Sequence, residues 1–175
     1  MKSILFSLLA LVAFVSISCE KIDDLLTFYI DEEEMIKIDS AFPVGMLVPL
    51  TPVNVTTNSE ETFKNNKTRA ELVKDVSLNK LTLTITDPAG ENFNFLRKVE
   101  IYLSNDKGEE TRIAYLDEIP QNVNTITLKS TNAKLDNYIK GESYSVRTKA
   151  TIGKPLSNDI SIKAAMRFKV TADPI

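Results

Sequence analysis

One run near the C-terminal end suits only an extended strand. Ile160, Ile162, Ala164, Met166, Phe168 and Val170 are apolar at every second position, and Ser161, Lys163, Arg167, Lys169 and Thr171 between them are polar. A helix would scatter these six apolar side chains around its circumference, whereas a strand lines them up on one face. The same period of two recurs in Leu81, Leu83 and Ile85, which alternate with Thr82, Thr84 and Thr86. It recurs again in Val99, Ile101 and Leu103, in Ile126 and Leu128, and in Tyr144, Val146 and Ala150. Asp87-Pro88-Ala89-Gly90 and Asn105-Asp106-Lys107-Gly108 supply turns, the second joining a hairpin. Seven strands are expected, at about 47–56, 78–86, 97–104, 111–117, 123–129, 143–152 and 159–171. No helical crossovers recur between them, so the expected fold is all-β, an antiparallel sandwich with one or two short helices.

The remaining segments are less regular. Thr27-Phe28-Tyr29-Ile30 and Met35-Ile36-Lys37-Ile38 are β-rich in type, but Asp31-Glu32-Glu33-Glu34 interrupts them. Pro43, Pro49 and Pro52 demote anything extended nearby to edge strand. Thr68-Arg69-Ala70-Glu71 matches a capping box and predicts a short helix over 68–75. Leu135, Tyr138 and Ile139 predict one or two helical turns stopped by Gly141.

The N-terminus reads as a targeting signal. Lys2 precedes an almost wholly apolar run from Ile4 to Ser18, too short to span a bilayer but the right length for a signal peptide. Val15-Ser16-Ile17-Ser18-Cys19 resembles the lipobox of bacterial lipoproteins, in which the cysteine is acylated and becomes the new N-terminus. That resemblance implies a signal peptide at 1–18, a lipidated tether at 19–26 with Cys19 as the lipid site, and one sandwich domain over 27–175. Several acyl chains on one residue hold a protein stably to a membrane. Glu20-Lys21-Ile22-Asp23-Asp24 resembles the signal that exports Bacteroidota lipoproteins, which implies the outer membrane, facing the cell surface.

Leu135 followed by Gly141-Glu142-Ser143-Tyr144-Ser145-Val146-Arg147-Thr148-Lys149-Ala150 resembles the turn and penultimate strand of fibronectin type III and other immunoglobulin-like domains. The resemblance implies an immunoglobulin-like sandwich and makes Tyr144 a corner tyrosine, its hydroxyl bonded to backbone within about 138–141. With the segment Thr57-Asn58-Ser59-Glu60 to Asn65-Asn66, the mature chain is similar to small Bacteroidota lipoproteins, which implies an address and a fold but no chemistry.

Composition excludes several function classes. The 175 residues contain no histidine, no tryptophan and one cysteine, which removes catalytic triads, histidine metal centres and internal disulfides. A net charge of -3 gives no electrostatic case for nucleic acid. There is no Gly-x-Ser-x-Gly elbow, and the five glycines are scattered singly. The acidic block at 31–34 lacks the Asp-x-Asp-x-Asp-Gly spacing of a calcium loop. No enzyme activity, metal or other cofactor is therefore expected. Phe93 and Phe95 should face the core, which leaves Tyr102 and Tyr115 on the hairpin as candidate glycan contacts. Asp39-Ser40-Ala41 resembles the O-glycosylation motif of Bacteroidota proteins, with Ser40 as the acceptor. The expected role is structural or partner-binding, with the membrane reached through the anchor and a protein or glycan as partner. The alternative is a glycan-binding accessory module of a surface nutrient-uptake system.

Overall fold

A computed structural model describes residues 26–175. The chain forms two antiparallel sheets packed face to face. Its strands are β1 (Thr27–Ile38), β2 (Leu47–Pro49), β3 (Val53–Thr56), β4 (Val73–Asp87), β5 (Leu96–Ser104), β6 (Glu110–Leu116), β7 (Thr125–Thr127), β8 (Lys129–Ser130), β9 (Ser143–Ile152) and β10 (Ile160–Ala172). Two short helices accompany them, α1 (Ser59–Asn65) and α2 (Asp136–Ile139). One sheet runs β1-β10-β4-β7. The other runs β2-β9-β5-β6-β8, with β3 pairing farther along β9.

The antiparallel all-β sandwich expected from the alternation is what forms. Every apolar residue in the alternating runs, from Leu81 to Val170, is buried in one shared core. Apolar alternation specifies this register because a slip of one residue would turn the whole set toward water. Phe93 and Phe95 are buried as expected, although on a 3₁₀ turn rather than a strand, with ring centroids 6.1 Å apart.

Four local expectations are corrected. The helix expected over 68–75 is absent. Ala70–Leu72 make one 3₁₀ turn, and Val73 onward belongs to β4. The Thr68 hydroxyl donates to the Asp173 carbonyl instead of capping a helix, and Val73 pairs with Ala172. Ladder pairing with β10 therefore outweighs the local capping signal. The helix in this region lies upstream, where Phe63 of α1 is buried edge-on against Phe28 at 6.2 Å.

The acidic block does not break the chain between 27–30 and 35–38, because β1 runs through it. Asp31 lies opposite Arg167 and accepts from its guanidinium at 2.7 and 3.0 Å, and Lys163 donates to Glu33 at 3.0 Å. These cross-strand pairs neutralise the outward carboxylates. The segment from Pro49 to Pro52, in contrast, divides the expected 47–56 strand into β2 and β3.

The tyrosine corner does not form. Tyr144 is 2% exposed and its ring meets Phe168 edge-on at 6.5 Å, but among the described residues its hydroxyl has no hydrogen-bond partner. The Gly141 carbonyl accepts from the Thr57 hydroxyl at 2.6 Å instead. A buried hydroxyl without a partner is destabilising. Tyr144→Phe should therefore raise stability by about 1 kcal/mol in urea melts. A loss of that size would restore the corner.

Candidate functional site

Strands β9, β5, β6 and β8 lie side by side, and their outward residues build a charged, aromatic face. Across one row, Arg147 lies opposite Tyr102, which lies opposite Arg112. Across the next, Lys149 lies opposite Glu100, then Tyr115, then Lys129. A bulge makes this possible. Ile101 pairs with Ala114 while Tyr102 pairs with Arg112, so Ile113 is an extra residue in β6. Both Ile113 and Ala114 are buried, and Arg112 and Tyr115, three positions apart, share the outer face.

Glu100 is the centre of the face and is 5% exposed despite its outward position. Tyr102 Oη donates to its Oε2 at 2.8 Å, and Arg112 Nη1 and Lys98 Nζ each approach its Oε1 at 3.1 Å. Burial pushes the Glu100 carboxyl up, but the hydrogen bonds from Tyr102, Lys98 and Arg112 outweigh it and hold the group below its ordinary range. Burial, then the hydrogen bond to Glu100 and its charge, push the Tyr102 phenol up.

Cations cover both tyrosine rings. Lys149 Nζ lies 4.0 Å from the Tyr102 centroid, and the Arg112 guanidinium carbon lies 4.8 Å from that of Tyr115. Lys149 and Arg147 also share Glu110, at 3.2 and 3.6 Å, and Lys98 bridges to Asp117 at 3.1 Å. Lys98, Arg112, Lys129, Arg147 and Lys149 thus face Glu100, Glu110 and Asp117, a positive excess on a chain of net charge -3.

The structure brings the two candidate tyrosines, Tyr102 and Tyr115, onto one face on either side of Glu100. Both are half-buried rather than projecting. Ser40 is on the opposite sheet's side, in the turn after β1, where its amide donates to Asp159 at 2.8 Å. Cys19 lies outside the described residues. Sequence reading places Glu100 on the wet face of its strand but gives no sign of its burial. That burial needs Tyr102 on its own strand, Arg112 on the next and Lys98 two residues away, all closing over one carboxylate.

No family model matches the chain, and no curated protein matches it. Among solved structures, it is similar to a chain titled Desmodium yellow mottle tymovirus, at 10% identity over 85% of this chain and 90% of that one, with a TM-score of 0.26. A likeness of that depth carries no argument about fold or function.

Proposed function

We propose that this chain is a non-enzymatic, lipid-anchored envelope protein whose sandwich binds a protein partner through the outer face of β9, β5, β6 and β8. The observation that carries this reading is the Tyr102–Glu100–Arg112 cluster with Tyr115 beside it. Tyrosine and arginine are the residues that dominate binding energy at protein interfaces, and a hydrogen-bonded cluster presents them in fixed positions at low entropic cost. The anchor rests on Cys19 after its apolar run, and the absence of histidine supports the non-enzymatic reading.

A second reading, a glycan-binding accessory module of a surface nutrient-uptake system, is favoured by the placement of Tyr102 and Tyr115 on one face. Against it, Lys149 and Arg112 already lie over the two rings, where a sugar would stack.

The test is photo-crosslinking in intact cells, with benzoylphenylalanine replacing Tyr115 or, on the other sheet's outer face, Lys80. A discrete protein adduct from position 115 and none from position 80 is expected. Adducts of carbohydrate alone would favour the second reading, and equal or absent adducts would overturn the docking face. In the same cells, Cys19→Ala should move the protein from the membrane to the soluble fraction. Retention of the variant in the membrane fraction would overturn the anchor.

A further inference from the structure

The connection from β1 into β2 leaves large apolar side chains in water. Val44, Met46 and Leu47 are 46, 61 and 46% exposed. Apolar residues scattered singly on a surface need no explanation, but a run of them in one segment marks a contact surface. The backbone here is fixed. The Gly45 amide donates to the Ile152 carbonyl at 2.8 Å, Val44 bridges to Ile152, and Leu47 lies opposite Thr151. A patch held in place in this way loses little entropy on docking.

Strand register ties the patch to the charged, aromatic face. Pro49 lies opposite Lys149, which lies outward over the Tyr102 ring, so Pro49 and Leu47 are outward too. The patch therefore borders the face along β2, and Lys129 borders it along β8. Four strand spacings separate the two borders, about 19 Å, which a standard-sized interface spans. The patch also lies at the end of the sandwich away from Thr27. β1 covers about 40 Å with its 12 residues, and the patch follows it. With an anchor at Cys19 the chain's own membrane is at the other end, which favours a protein over the bilayer as the cover.

The charges of the face select the kind of protein. Its carboxylates are already engaged: Glu100 by Lys98 and Arg112, Glu110 by Arg147 and Lys149, and Asp117 by Lys98. A basic partner would find none of them unpaired. Cations are left over. Arg147 lies 3.6 Å from Glu110 with 49% of its side chain exposed, and among the described residues Lys129 has no carboxylate partner.

We infer, resting on the docking face of the proposed function, that its partner is an acidic protein that seats an apolar side chain on Val44, Met46 and Leu47 and sets carboxylates against Arg147 and Lys129. The apolar contact supplies affinity, because it removes from water the most exposed apolar surface of the face. Met46 suits this role, since its flexible thioether side chain adapts to the shape of a partner. The cations supply orientation and speed of encounter, because opposite charges steer association and like charges reject wrong partners.

The test uses the full chain in intact cells, with benzoylphenylalanine at Tyr115 as the probe and the crosslinked peptide sequenced by mass spectrometry. Met46→Ser/Leu47→Ser and, separately, Lys129→Glu/Arg147→Glu should each lower the yield of the protein adduct at least about fivefold. The captured peptide should carry more Asp and Glu than Lys and Arg, and the probe moved to Met46 should capture the same protein. All four substituted side chains are exposed, so the purified variants should melt within about 2 °C of wild type. If the serine pair melts lower, Met46→Gln alone carries the same reading. An adduct whose yield survives either pair, or a captured peptide that is basic, would overturn the proposal and leave the face standing. So would a lipid, or a different protein, captured at Met46. No protein adduct at Tyr115 in the otherwise unsubstituted chain would remove the face, and this proposal with it.

Discussion

Phe168→Ala is expected to cost about 3–5 kcal/mol in urea denaturation, close to the upper end for a single core truncation. Phe168 is fully buried on β10, which is flanked by β1 and β4. It lies between Ile30 on one neighbour and Leu78 on the other. Its ring also makes the edge-on contact with Tyr144, across from the other sheet. Truncation therefore loses the transfer energy of the ring and opens a cavity where the two sheets meet. Strand pairing on both sides limits how far the walls can collapse into that cavity. A loss below about 1 kcal/mol would mean that β10 is in another register.

The second large effect is expected at Glu100. Glu100→Gln keeps the shape of the side chain but removes the charge that Lys98 and Arg112 share and that Tyr102 donates to. Hydrogen bonds to a charged group contribute about 1.5–3 kcal/mol, and a loss in that range is expected at neutral pH. The loss should depend on pH. In the folded protein the Glu100 carboxyl sits below its ordinary value of 4.5. A depressed carboxyl contributes its full stability above the unfolded value and loses it as pH falls through the folded one. Wild type should therefore lose its advantage over Glu100→Gln below about pH 4.5 as Glu100 protonates. Glu32 and Glu34 are raised, so their effect has the opposite sign and weakens the fold as pH rises above the unfolded value. Guanidine-free melts of both proteins across the acid range would show the convergence. A gap that stayed constant with pH would assign the effect of Glu100→Gln to packing instead of charge.

Much of the core is legible from the chain alone. The inward parity of β4, β5, β9 and β10 follows from alternation, which is local, because each residue's type reports the face it occupies. The turns at Gly90 and Gly108 are legible for a similar reason. Both adopt positive φ, which glycine tolerates without strain. The proposed anchor at Cys19 rests on residue order alone.

The candidate face was only partly legible. Tyr102 and Tyr115 could be placed on the hairpin, but Arg112 and Tyr115 differ by an odd number and would fall on opposite faces of a regular strand. Only the bulge at Ile113 brings them together, and no residue type near it announces an extra position. The same limit applies to β1. As a sequence, Asp31–Glu34 interrupts a strand, since four acidic residues repel and favour water. In the fold the interruption disappears, because Arg167 is 136 residues from Asp31 in the chain and faces it across the sheet.

A β-sandwich with a shared core follows from the order of residues, because burial is encoded one residue at a time by a period of two. Which charges are neutralised and which are left bare depends instead on how the strands pair in space. Counter-charges come from strands distant in the chain, so Asp31 and Glu33 find cations while Glu32 and Glu34, on the inward face of the same strand, lie opposite Met166 and Ala164.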